Sequence, residues 1–144
     1  MIAESANRVA KHTSPAVNER IRLETERRIA YFTDHPDEIG ARLRELDAEW
    51  DIERTLATGS STLTLTGLLL VLGGNRKWLL LSLGVQAFYM QHAMQGWCPP
   101  LPVFRSMGIR TQYEIEQERY ALKAIRGDFN DASTAESALS AARE

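Results

Sequence analysis

The sequence predicts an all-α protein: a membrane-spanning antiparallel two-helix hairpin, preceded by two charged or amphipathic helices and followed by one amphipathic helix. Three observations lead there. Residues 55–75 carry no charged side chain, and residues 78–104 carry none apart from a charge on His92. A helix of about 20 residues is enough to cross a hydrocarbon core roughly 30 Å thick. Only Arg76-Lys77 interrupts the two runs, in a link too short for anything but a hairpin. Trp78 and Trp97 bracket the second run, and 1.5 Å per residue places them about 28 Å apart. Trp favours the two membrane interfaces, where its ring is half buried and its N–H stays wet.

The 144 residues carry a formal net charge of −2, with basic and acidic side chains interspersed. That pattern gives no footprint for nucleic acid. The organisation we expect is a flexible N-terminus over 1–13, a charged helical pair over 14–54 and the transmembrane hairpin over 55–104. A C-terminal helix over 105–129 and a flexible tail over 130–144 complete it. Residues 1–12 are polar, so the hairpin itself would direct insertion.

Ser14-Pro15 is a helix start, because Ser satisfies free N–H groups and Pro suits the first helical position. The helix should run to about Phe32, highly charged and with a poor apolar stripe. Asp34-His35-Pro36 breaks it, and His35 or Asp34 should cap the next helix. There Ile39, Leu43, Leu46 and Trp50 recur at helical spacing on one face. The acidity of Asp47, Glu49, Asp51 and Glu53 disfavours anionic headgroups, so this face should pack against protein.

In the first span Thr58, Thr62 and Thr66 recur every four residues, with Gly59 and Gly67 on a neighbouring line. Small residues at such spacing let two membrane helices approach closely. These five are the expected helix–helix packing residues. Gly73-Gly74-Asn75 ends the span. Trp50, Trp78 and Trp97 are the expected interfacial anchors. In the second span Gln91, His92 and Gln95 form a polar face that should meet protein or water. Pro99, Pro100 and Pro102 should end the helix and leave 98–102 extended. Thr111-Gln112-Tyr113-Glu114 reads as a capping box, and Ile115, Leu122, Ile125 and Phe129 give the last helix its apolar side.

Basic residues outside the hairpin (Arg42, Arg44, Arg54, Arg105, Arg110, Arg119, Lys123) outnumber Arg76 and Lys77 in the loop. The excess predicts both termini in the cytoplasm.

Glu49-Trp50-Asp51-Ile52-Glu53-Arg54 before the first span, and residues 96–111 closing the second, resemble the YgaP-type inner-membrane domain. That is a family of small bacterial two-helix hairpins without an assigned biochemical function. Some members stand alone and others follow a rhodanese, a sulfurtransferase domain. The most specific likeness is Cys98-Pro99 followed by Gly108-Ile109-Arg110-Thr111. The core resemblance covers about 51–111, and 114–129 resembles a longer stand-alone subgroup. It implies the bacterial inner (cytoplasmic) membrane. No rhodanese portion and no second cysteine are present.

The function expected first is a non-catalytic scaffold or accessory subunit of a larger membrane assembly, self-associating or bound to other subunits, with no enzyme activity, cofactor or metal. The alternative is a thiol or sulfur relay through Cys98, working with a separate sulfurtransferase. A reactive cysteine needs a stabilised thiolate. On a continuous helix His92 would stand about 120° away from Cys98, a poor partner. Arg105 would reach the thiol only if the proline segment folded back. The plainer expectation is that Cys98 packs as a small apolar residue. A channel would need an oligomer, and only Gln86, Gln91, His92 and Gln95 would line it.

Overall fold

The computed structural model describes residues 6–143. All regular elements among them are helical. They are α1 (Arg8–Lys11), α2 (Pro15–Asp34), α3 (Ile39–Ala48), α4 (Ile52–Leu72), α5 (Leu79–Gln95), α6 (Leu101–Ser106), α7 (Gln112–Arg126) and α8 (Ala135–Arg143). Short 3-10 turns at Pro36–Glu38 and Arg76–Trp78 precede α3 and α5. The chain forms two compact units, one from residues 1–20 and 50–112, the other from 21–49 and 113–144.

In the first unit α4 packs along α5. Asp51 starts α4: its Oδ1 accepts the Arg54 N–H at 2.7 Å, and its backbone is extended. This satisfies one of the donors that every helix N-terminus leaves open. The Ile52 N–H is satisfied from further along the chain, by the Arg110 carbonyl at 2.8 Å.

The packing line of α4 differs from the expected one. Thr58, Gly59, Thr62 and Thr66 are exposed. The Thr62 and Thr66 hydroxyls donate to the carbonyls of Thr58 and Thr62, both at 2.8 Å, within their own helix. The polar contacts to α5 fall on Thr64 instead. Ser82 Oγ donates to its carbonyl at 3.1 Å, and Gln86 Nε2 donates to its hydroxyl at 2.8 Å. Of the five expected packing residues, Gly67 is the one at the interface. A Cβ there would meet Ser82 Oγ at 2.4 Å and the Trp78 carbonyl oxygen at 3.2 Å. Fourfold spacing identified a line of small residues, but several lines on one helix share that spacing, and side chains on α5 select among them.

Residues 6–13 are not the frayed start expected. Val9 is buried with Ile52, Leu56, Cys98 and Leu101, and Tyr89, Trp97, Phe104 and Ile109 pack around them. The expectation for residues 1–5 lies outside the described residues. The segment after Cys98 is not extended either. Pro99-Pro100 makes a turn, and α6 follows with Pro102 in its first turn, where the missing N–H leaves no carbonyl unpaired. Arg105 on α6 is fully buried. Its guanidinium donates to Thr13 Oγ1 (3.1 Å), Asn18 Oδ1 (3.0 Å) and the Ile109 carbonyl (2.9 Å). These bonds join α6 to the N-terminal segment and offset the cost of burying the charge.

The second unit is built around Phe32, Ile39, Leu43, Leu46, Ile115 and Leu122. The α3 face therefore forms as read, except that α3 ends at Ala48 and Trp50 is exposed, with the Arg54 guanidinium 4.4 Å from its ring centre. Helix α2 runs to Asp34. No side chain caps the Pro36 turn, because His35 Nδ1 pairs with the Tyr31 carbonyl instead. Fully buried Glu118 binds Arg42 Nε at 2.8 Å and Arg28 Nε at 3.2 Å, tying α7 to α2 and α3. The expected flexible tail contains α8. Buried Lys123 donates to the Ala141 and Ala142 carbonyls near its end, groups that a helix C-terminus leaves unsatisfied.

Gly67→Leu is expected to destabilise the α4–α5 pair by about 1–3 kcal/mol through overpacking. Thr62→Leu should change stability by no more than about 0.5 kcal/mol, as exposed substitutions do. Thermal unfolding of both variants checks the assignment, and equal losses would refute it.

Candidate functional site

The site lies at the end of α5, within the first unit. Helix α5 stops at Gln95, and Gly96 takes a left-handed conformation (φ 80°) while its N–H reaches the His92 carbonyl at 2.7 Å. This turn reverses the chain, so Cys98 does not continue the helical face of Gln91 and Gln95. The 120° offset reckoned for an unbroken helix does not apply. Cys98 instead comes back against the His92 imidazole. Gly96 is required twice. Its φ favours glycine, and a Cβ would lie 2.6 Å from the Arg8 backbone carbonyl carbon.

His92 is fully buried, whereas Gln91 is half-buried and Gln95 exposed. Of the expected polar face, His92 alone turns wholly inward. Its Nε2 lies 3.1 Å from Glu53 Oε2. A carboxylate only accepts, so Nε2 carries the proton. Glu53 is in turn held by Arg8, whose Nη2 donates to Oε1 at 2.7 Å. The second ring nitrogen, Nδ1, is buried with no hydrogen-bond partner among the described residues. Buried polar atoms are normally satisfied, so an orphan of this kind needs an explanation. With Nε2 taken by Glu53, Nδ1 is the ring position left open to a further group, and the polar side chain beside the ring is the Cys98 thiol.

Cys98 is 3 % exposed, yet it lines an apolar cavity of about 270 Å³. Leu56, Gly59, Ser60 and Leu63 of α4, Val85, Phe88 and Tyr89 of α5, and Pro99, Pro100 and Phe104 complete the wall. Gly59 thus serves as open wall rather than helix contact, since a Cβ there would meet nothing within 4 Å. A cavity with apolar walls and one or two converging polar groups is the usual form of a small-molecule site.

The sequence contained each of these residues but not their assembly. Glu53 was read only as part of an acidic run, and Arg8 fell in a segment expected to be frayed. The available signal was Gly96 itself, a glycine just after the last periodic residue, which marks a left-handed helix end. Of the three tryptophans, Trp50 and Trp78 are exposed, while Trp97 packs on the core beside Cys98. Among the described residues no group of three or more His, Cys, Asp or Glu is placed to hold a metal ion. Comparison with protein-family models, curated proteins and solved structures finds no match.

Gly96→Ala is expected to lower stability by about 2 kcal/mol or more, combining a disfavoured φ with a clash against Arg8. Thermal unfolding measures it. A neutral effect would mean that the turn holding Cys98 against His92 is looser than described.

Proposed function

We propose that this is an integral membrane protein of the bacterial inner membrane carrying a thiol that receives and passes on a chemical group. In this reading α4 and α5 cross the bilayer as an antiparallel hairpin, with both termini in the cytoplasm. Support for membrane insertion comes from composition and exposure. One helix within Pro36–Leu72 is long and apolar enough to cross a membrane, and only 11 % of its apolar window is buried inside the protein. A core helix of a water-soluble protein would be mostly covered. Helix α5 has 17 residues, about 25 Å, and exposes Leu80, Leu83, Phe88, Met90 and Met94. The resemblance to the YgaP-type domain points to the same location.

The observation that carries the thiol reading is the buried His92 ring, bonded to Glu53 through Nε2 and unpaired at Nδ1, beside Cys98. A nucleophile, a base and a group orienting the base is the general arrangement for nucleophilic catalysis. Here Glu53 fixes the imidazole tautomer, His92 takes the thiol proton, and the thiolate attacks. Arg8 positions Glu53.

A second reading, an accessory or scaffold subunit, draws on a different feature. The line Thr58, Thr62 and Thr66 is exposed on α4, and small residues of this kind suit close contact with another membrane helix. A second copy or a larger membrane assembly would supply that helix. The two readings are compatible, since a relay needs a donor and an acceptor nearby.

Two measurements test this. Reporter fusions should show the C-terminus cytoplasmic and the Arg76-Lys77 loop periplasmic, and a periplasmic C-terminus would reverse the orientation. Cys98 in detergent-solubilised protein should react with an uncharged maleimide. His92→Asn should slow that reaction about tenfold or more, the scale of a lost general base, and Glu53→Gln should slow it less. Circular dichroism controls for folding. An inert thiol, or rates unchanged in both variants, would remove the relay.

A further inference from the structure

The cavity wall has a direction. Cys98 lines it together with Pro99 and Pro100, and the His92–Glu53 pair lies outside the lining. From there Leu56, Gly59, Ser60 and Leu63 descend α4 over about 10 Å, faced by Val85, Phe88 and Tyr89 on α5. In the proposed membrane orientation the thiol lies near the cytoplasmic interface, and the groove leads toward the middle of the bilayer. Phe88 and Leu63 are about half exposed, so the groove opens sideways to lipid.

We infer that the group carried on Cys98 is a long-chain acyl group, taken from an acyl thioester, with its hydrocarbon chain lying in the groove between α4 and α5. This rests on the thiol reading above and names its substrate class. The argument is one of matched polarity. A long-chain thioester has one reactive polar end and an apolar tail, and the site has one polar end and an apolar trough. The lining of the cavity itself contains no charged side chain to hold a charged substrate inside the groove. A small polar sulfur donor would leave the trough unused.

The step balances without an oxidant. The Cys98 thiol gives its proton to His92 Nδ1, and the thiolate adds to the thioester carbonyl carbon. The tetrahedral intermediate then expels the donor's sulfur. A Cys98–acyl thioester bond forms, the donor thioester bond breaks, and the donor thiolate leaves with the proton from His92.

The test uses the full chain in lipid nanodiscs with palmitoyl-coenzyme A and acetyl-coenzyme A as probes, read by intact mass. The expected result is one palmitoyl adduct per chain, released by hydroxylamine, absent in Cys98→Ala and at least tenfold slower in His92→Asn. Palmitoyl transfer should outpace acetyl transfer, and Gly59→Phe, which fills the trough, should abolish that preference. Equal rates for the two probes, or palmitoylation unaffected by Gly59→Phe, would overturn the inference. Parallel labelling of the wild type with an uncharged maleimide separates the two levels. A thiol that labels in a His92-dependent manner but takes no palmitoyl group rejects the acyl substrate alone. A thiol inert to both reagents rejects the relay as well.

Discussion

The carboxylate of Glu53 is the interaction on which the first unit depends. It sits in the first turn of α4 and reaches α1 through Arg8 and α5 through His92. Each of the three groups would be costly to bury alone, because a charged or polar side chain removed from water needs a partner. Together they satisfy one another, except for one imidazole nitrogen and Arg8 Nε. Glu53 keeps some contact with water, its side chain being 36 % exposed, so the attraction is screened and its value to stability is modest. Its larger effect is geometric. It fixes which way the His92 ring faces and which nitrogen is left without a hydrogen-bond partner.

Around that point the chain solves one recurring problem, placing polar groups beside apolar surface. The exposed Thr62 and Thr66 of α4 return their hydroxyls to their own helix, so they present methyl groups to the surroundings. Thr64, Ser82 and Gln86 form a polar seam between the helices, and Gly67 lets the backbones approach there. The second unit meets a similar problem with ions. Glu118 is wholly buried but accepts from two arginines, and Lys123 caps the end of α8. Breaking such a pair on one side is strongly destabilising, because an uncompensated charge is left behind. These contacts confer geometric specificity on helices that hydrophobic burial alone would leave free to slide.

The proposed site depends on where the chain reverses. A helix continuing past Gln95 would carry Cys98 away from His92, and the thiol would be one more small packing residue. The left-handed Gly96, pressed against the Arg8 backbone, brings it back. The same turn leads into the Pro99-Pro100 segment and α6, which close one end of the groove. The proposed base and nucleophile and the apolar trough are therefore brought together by a single backbone event that joins the N-terminal segment to the end of α5.

What the sequence determined by itself is what depends on local pattern. Uncharged runs, the helix start at Ser14-Pro15, the α3 face of Ile39, Leu43 and Leu46, and the glycine end of α4 follow from periodicity and capping. These are properties of neighbouring residues, and they are legible along the chain. The tertiary structure decided the rest. It chose Thr64 and Gly67 over the Thr58–Thr62–Thr66 line, ordered residues 6–13 and 135–143, and wound Leu101–Ser106 into a helix. It also paired Glu53 with His92 across 39 positions and turned Cys98 toward the same ring. The physical reason is that hydrogen-bond partners and close backbone approaches are set by distance in space. One glycine with positive φ moves every residue after it off the helical face that periodicity assigns.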